Sequence, residues 1–171
     1  MVETVLELQG LTKRLGGRNV VDDLSFTVNK GEIFGLLGPN GAGKTTTIRM
    51  IVGLISKTKG GVTVKGINAN THFVEAMKEI GAIVENPEMY KFLTGYQNLV
   101  HFARMARKEI PKERIDEVVK LVELEDAIHK KVKTYSLGMR QRLGVAQAVL
   151  HRPALLILDE PTNGLDTQGI Y

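Results

Sequence analysis

The chain has 171 residues, of which 43% are hydrophobic and 25% charged, and it carries a formal net charge of +4 at pH 7. That length supports one domain with a sizeable core; the absence of cysteine excludes disulfides and cysteine–zinc sites, and no apolar stretch approaches the length that spans a bilayer. A charge of +4 is compatible with an anionic nucleotide, nucleic acid or an anionic membrane surface, and by itself selects none of them.

The N-terminus, MVETVLELQG, is acidic and strand-like rather than a signal peptide. Residues 5–9 and 24–28 alternate apolar and polar side chains, which predicts strands, and Asn29-Lys30-Gly31 predicts a turn between the second of these and residues 32–37. That next run, EIFGLL, is short, apolar and bounded by glycines, and reads as a buried strand. It leads into GPNGAGKT at residues 38–45, which fits the phosphate-binding pattern GxxxxGK followed by Ser or Thr. Gly38, Gly41 and Gly43 let the backbone curl with its N–H groups inward, and Pro39, Asn40 and Ala42 complete the loop. Lys44 supplies a positive charge at the β/γ-phosphate position, the Thr45 hydroxyl can ligate Mg²⁺, and Thr46 stands at the start of the following helix. That helix is predicted to reach Ile55, with Ile48, Ile51, Val52 and Ile55 at helical spacing. Strand, glycine loop and helix in this order are the context that the motif requires.

Gly60-Gly61 predicts a break, after which alternation resumes over residues 62–67. A short helix is expected after Asn70 and a strand at residues 82–84. From Asn86 the pattern is helical. Thr94 and Gln97 match a capping box that starts a helix running to about Arg107. Pro111 suits the first turn of the next helix, which carries Ile115, Val118, Val119 and Val122 on one face. A third helix is predicted from Ser136, with Leu143, Ala146, Val149 and Leu150 inward. Residues 154–158 (ALLIL) are wholly apolar, as expected of a central parallel strand covered on both faces. The class is therefore α/β, with helices inserted between one strand and the next.

Asp159 and Glu160 follow that last strand, and the C-terminal end of a buried parallel strand is where such sheets bind ligands. Asp159 is suited to hold Mg²⁺ through water, and Glu160 to orient or deprotonate the water that attacks a γ-phosphate. A plain acidic loop is the alternative, and the phosphate loop in the same chain weighs against it.

Residues 135–142 (YSLGMRQR) resemble the signature motif of ATP-binding cassette (ABC) proteins, and residues 161–166 (PTNGLD) resemble their D-loop. Glu85 falls where that family has its Q-loop glutamine, and residues 11–28 resemble its N-terminal strand pair. The chain is identified as a member of this family, residues 1–171 forming a partial ABC ATP-binding domain with a helical subdomain at about residues 86–142. The YSLGM signature with ENP at residues 85–87 is most similar to exporter ATPases of the bacitracin and lantibiotic-resistance type. The resemblance implies a P-loop NTPase with N-terminal antiparallel strands, a parallel core sheet and the helical insertion. It implies an ATP hydrolase with ATP and Mg²⁺, catalytic residues Glu160, Lys44 and Glu85, and metal contacts from Thr45, Asp159 and Glu85. A second ATPase subunit would pair head to tail, so that Ser136, Gly138 and Asp166 of one subunit meet the nucleotide on residues 38–46 of the other. The helical insertion would dock an integral membrane permease that exports the substrate, with the ATPase cytoplasmic and peripheral on the inner face of the cell membrane. No nucleic acid is expected. The rival readings are a nucleotide-binding fragment that does not hydrolyse ATP, and an ABC protein acting on nucleic acid or ribosomes. The latter usually has tandem cassettes, long coiled-coil insertions or zinc cysteines.

Plainer roles stand beside these. Ser136 is suited to a helix N-cap, which is compatible with a γ-phosphate contact, and Arg142 reads as part of a solvated helix face. The chain also departs from the family pattern. Leu15 stands where an aromatic ring usually stacks on adenine, so that apolar contact from Leu15 or Val20 would replace it. Glu85 replaces glutamine, Leu137 a signature glycine and Met139 a glutamine. The family continues past the D-loop to a strand ending in a histidine, whereas all four histidines here (His72, His101, His129, His151) precede Asp159. The expectation is an incomplete domain, with a gap in the sheet between residues 32–37 and 154–158, low stability and little ATPase activity in the isolated chain.

Overall fold

A computed structural model describes residues 2–106 and 108–160. Strands β1 (Thr4–Leu15) and β2 (Arg18–Asn29) form an antiparallel hairpin. Both glycines between them, Gly16 and Gly17, adopt positive φ. The hairpin is the larger part of a four-stranded sheet, ordered β2-β1-β3-β4, completed by β3 (Lys59–Val64) and β4 (Ile67–Asn68). Leu6 stands between Val28 on one neighbour and Val64 on the other. Val5, Leu6, Leu8, Leu11, Val62 and Val64 are buried with Met50 and Ile51 of helix α1 (Lys44–Ile51). The hairpin strands are longer than their alternating cores because bulges between Leu8 and Leu11 interrupt the alternation and not the pairing.

Gly60-Gly61 does not break the chain as expected; both residues lie inside β3. Gly60 has φ +90°, and a Cβ there would stand 2.4 Å from the Gly10 carbonyl oxygen. Glycine is needed here for close backbone approach, which a local pattern cannot reveal. Residues 32–37 also differ from expectation. None of the six strands pairs with this run, and Ile33 and Leu37 are 100% and 91% exposed. A strand exists only through ladder partners, and among the described residues this apolar segment has none. Helix α1 ends at Ile51, earlier than Ile55, where Gly53 turns at φ +75° and the N–H groups of Leu54 and Ile55 return to the Arg49 carbonyl.

After the short helix α2 (Phe73–Met77), strand β5 (Ile80–Ile83) pairs in parallel with β6 (Leu155–Leu158), Ile80 opposite Leu155 and Ile83 opposite Leu158. The parallel pairing agrees with the sequence reading; burial on both faces does not. Leu156 is 40% exposed, since β5 is the one strand paired with β6 among the described residues.

Between β5 and β6 lie α3 (Gly95–Met105), α4 (Lys112–Leu121) and α5 (Leu137–Val149). They enclose a second core that includes Leu99, Ile115, Val118, Val132 and Leu143. The Thr94 capping box forms as predicted: Thr94 Oγ1 accepts from the Gln97 N–H at 3.1 Å, and Gln97 Oε1 accepts from the Thr94 N–H at 2.9 Å. Pro111 sits just ahead of α4 as its N-cap. Buried Asn98 accepts from the Tyr90 N–H at 2.9 Å and donates to the carbonyls of Tyr90 and Thr94, tying the preceding loop to α3. Arg114 of α4 donates to the carbonyls of Val149 and Leu150, satisfying the C-terminal end of α5. Gly81 of β5 lets α5 lie directly on the strand, since a Cβ there would be 2.0 Å from the Ala148 carbonyl oxygen.

Glu79, just ahead of β5, pairs with Lys65 at 3.3 Å and with Lys108 at 3.6 Å. Burial pushes its carboxyl upward, but the hydrogen bond from Lys65 and the charges of Lys108 and Lys65 outweigh this and hold it below 4.5. A depressed carboxyl contributes stability above its unfolded-state value and loses it as the pH falls through the folded-state value. Glu79→Gln is therefore expected to lower the urea midpoint at neutral pH, with the difference from wild type shrinking below pH 4.5. A constant difference across that range would contradict the assignment.

Candidate functional site

The phosphate-loop sequence forms a tight turn against the hairpin. Gly41 and Gly43 have φ +80° and +89°, in the region that favours glycine. A Cβ on Gly43 would lie 2.5 Å from the Val20 carbonyl oxygen and 3.0 Å from Val21 Cγ2, so the loop closes directly on β2. Within the loop the Ala42 N–H donates to the Pro39 carbonyl at 3.1 Å, and a Cβ on Gly38 would meet that of Ala42 at 3.1 Å. Asn40 is exposed at the turn.

Gly43 is the N-cap of α1 and offers no side-chain cap. The first intrahelical bond runs from the Thr47 N–H to the Gly43 carbonyl at 2.8 Å, and Thr47 Oγ1 donates to the same carbonyl at 2.9 Å. By helix geometry the N–H groups of Lys44, Thr45 and Thr46 precede that bond and have no intrahelical acceptor, which makes this end of the helix favourable for an anion. Lys44 Nζ donates to the carbonyls of Gly38 and Pro39 at 2.7 and 2.9 Å, holding its ammonium at the loop. Thr47, buried and anchored under the loop, is a structural residue that the sequence reading did not single out.

Thr45 opens onto a cleft of about 290 Å³ whose other walls are Glu85, Asn86, Gln141, Asp159 and Glu160. Four residues expected at the site from three separate stretches of chain thus meet in one place. The parallel pair β5–β6 brings them there: Glu85 lies two residues past β5, and Asp159 directly follows β6. The Asp159 N–H continues the ladder by donating to the Ile83 carbonyl at 2.9 Å, and the residue is 8% exposed. Glu85 and Glu160 have φ +66° and +47°. A non-glycine residue in this region costs roughly 1–2 kcal/mol, so both carboxylates are presented to the cleft from strained backbone. The Glu85 carboxylate accepts from the Arg49 guanidinium of α1, a partner the sequence reading did not find. Asn86 and Gln141 are likewise additions from the tertiary structure.

The donors suit Mg²⁺. The Thr45 hydroxyl and the Asp159 carboxylate are hard oxygen ligands, and Mg²⁺ binds typically through one or two protein oxygens with phosphates and water completing its shell. Among the described residues no group of three or more His, Cys, Asp or Glu is arranged to hold a metal ion.

Of the signature segment, Gln141 lines this cleft, whereas Ser136 and Gly138 do not. Ser136 is exposed at the N-cap of α5, where its Oγ accepts from the Met139 N–H at 3.2 Å, and Gly138 is half-buried in the first turn. Arg142 pairs with Glu123 at 3.1 Å on an exposed face, whereas Arg140 donates to the Tyr135 carbonyl at 2.9 Å. Leu15 is 51% exposed at the end of β1, and Val20 is half-buried with its carbonyl against Gly43. Asp166 and the rest of the D-loop segment lie outside the described residues.

Residues 21–163 match the family model described as ABC transporter. YhcH of Bacillus subtilis (strain 168), an uncharacterized ABC transporter ATP-binding protein, is 64% identical over 169 residues, covering 99% of this chain and 55% of YhcH. The bacitracin transport ATP-binding protein BcrA of Bacillus licheniformis is 48% identical over 169 residues, covering 99% of this chain and 55% of BcrA. A solved ATP binding subunit of an ABC transporter has the same fold, with a TM-score of 0.84 and 30% identity over 97% of this chain and 70% of that chain. The chain spans about half the length of the curated relatives named here.

Proposed function

This chain belongs to the ABC transporter family, and we propose that it is the nucleotide-binding part of an ATPase that couples ATP binding and hydrolysis to export by a separate membrane subunit. The observation that carries the reading is the convergence of Thr45, Asp159 and Glu160 on one cleft at the uncapped start of α1. The N–H groups of residues 44–46 and the Lys44 ammonium bind and orient the phosphates, the ammonium exchanging its loop carbonyls for phosphate oxygens. Thr45 and Asp159 hold Mg²⁺, which supplies charge neutralisation at the phosphates. Glu160 orients the attacking water and takes its proton on a carboxylate oxygen. Glu85 lines the cleft with its carboxylate on Arg49. Leu15 and the Val20 side chain offer apolar contact to the base.

Ser136, exposed at the N-cap of α5, and Gly138, half-buried in its first turn, are assigned to a nucleotide held by a second subunit, and Asp166 to the same contact. The helical insertion at about residues 86–142 presents the docking surface for the membrane subunit. Identity to a bacitracin transport ATP-binding protein supports export as the direction and an antibiotic-type compound as the cargo class. No helix among the described residues is long and apolar enough to cross a membrane; a place beside the permease on the cytoplasmic face follows from the transporter reading itself.

Lys44→Ala tests the nucleotide reading. Loss of a charge-assisted hydrogen bond is expected to weaken equilibrium ATP binding by the full-length protein by about tenfold to a hundredfold. Wild-type affinity in this variant would sink the reading. Co-purification of a multi-helix membrane protein with the full-length ATPase is the expected result for the partner.

A further inference from the structure

The cleft gathers three carboxylates, Glu85, Asp159 and Glu160, where the proposed ligand is itself polyanionic. Two of them have roles in the reading above: Asp159, buried in the wall, as a Mg²⁺ ligand, and Glu160 as the base. Glu85 adds a third negative charge, and among the described residues its ion-pair partner is the guanidinium of Arg49. Arg49 lies four residues after Thr45, on the same face of α1, so it stands one turn behind the hydroxyl that lines the cleft. Its backbone is fixed, because its carbonyl accepts from the N–H groups of Leu54 and Ile55 at 2.8 and 3.3 Å. Glu85 is fixed from its own side by left-handed backbone at φ +66°.

Stability is a poor account of this pair. Its side chains are 39% and 61% exposed, and pairs of that kind contribute little to folding. Its position in the site is the better account. We propose that Arg49 is a positioning residue that holds and neutralises the Glu85 carboxylate, so that the cleft admits a nucleoside triphosphate despite the extra acid. The proposal rests on the nucleotide reading above and concerns how its site is balanced. Arg49 acts through Glu85, and is not assigned a contact to the ligand. The physical reason is Coulombic: an unpaired carboxylate within a few ångströms of the phosphates opposes their entry, and a fixed counter-charge removes that opposition.

The test is a double-mutant cycle read as the equilibrium dissociation constant for Mg-ATP in the full-length protein, with thermal melts of every form as the check on folding. Arg49→Gln is expected to weaken binding about tenfold, and Arg49→Gln with Glu85→Gln to restore it to within about twofold of wild type. A double variant as weak as Arg49→Gln alone overturns the proposal, because Arg49 would then act on the ligand or on the fold directly. Unchanged binding by Arg49→Gln also overturns it. Glu85→Gln tests the idea without altering Arg49: it removes the negative charge and is expected to tighten binding by about threefold, and weaker binding overturns the proposal. Failure of the unmodified protein to bind Mg-ATP overturns the nucleotide reading and this proposal with it, whereas binding without the cycle's coupling overturns this proposal alone.

Discussion

Glu160→Gln in the full-length protein is expected to slow ATP turnover by about a hundredfold or more while sparing ATP binding. The two neighbouring carboxylates are not equivalent. Asp159 is 8% exposed, with its N–H on the Ile83 carbonyl, and so forms part of the wall at the end of the parallel pair. Glu160 is exposed and presented to the same cleft at φ +47°. A γ-carboxylate there can accept the proton of an attacking water; an amide of the same shape can orient the water and cannot accept the proton. The affinity for phosphate comes from other groups, the uncapped start of α1 and the Lys44 ammonium. Phosphate release and the ATP dissociation constant, measured on the same sample, separate the two quantities. Wild-type turnover would show that Glu160 is not the base, and loss of binding would show that it holds the nucleotide.

The second large effect is expected at Gly43. In Gly43→Ala the new Cβ would lie 2.5 Å from the Val20 carbonyl oxygen and 3.0 Å from Val21 Cγ2, on backbone at φ +89°. Left-handed backbone alone costs roughly 1–2 kcal/mol for alanine. The clash adds to it, because the obstacle at 2.5 Å is backbone of a paired strand and not a flexible side-chain end. A total loss of about 3 kcal/mol is expected, together with weakening of ATP binding by more than about tenfold, since any shift of Gly43 moves the first turn of α1. Gly41→Ala is the control. It has φ +80° but nothing within 4 Å of its Cβ, and is expected to lose about 1 kcal/mol from the backbone alone. Chemical denaturation and ATP binding of both variants make the comparison, and equal losses at the two glycines would remove close packing against Val20 as the cause.

Much of this protein was legible in its residues because the features concerned are local. The phosphate loop needs glycines and a lysine at set offsets within eight positions, and the structure has Gly41 and Gly43 in the region that only glycine enters easily. Thr94 and Gln97 stand three residues apart and form the reciprocal cap that their chemistry predicts. Ser136 caps α5 for the same reason. The place of Asp159 and Glu160 at a strand end followed from the apolar run before them, and the cleft gathers them with Thr45 and Glu85.

The tertiary structure decided what depends on partners distant in the chain. Apolar composition makes residues 32–37 look like a strand, but pairing makes a strand, and none of β1–β6 pairs with them. Gly60-Gly61 looks like a break, yet the close approach of Gly10 and Gln9 backbone demands glycine inside β3. Leu156 belongs to a run that looks wholly buried, and its exposure depends on how many strands and helices stand beside β6. Arg49 and Glu85 are 36 residues apart and carry no shared pattern; the fold brings the Arg49 side chain of α1 to the segment after β5 and makes them a pair. The sequence by itself determined the groups that can bind a triphosphate, because each depends on bonds within one turn or one loop. Which groups face each other, and which charges are balanced, was decided by the fold, because Coulombic and steric terms depend on distances through space and not on separation along the chain.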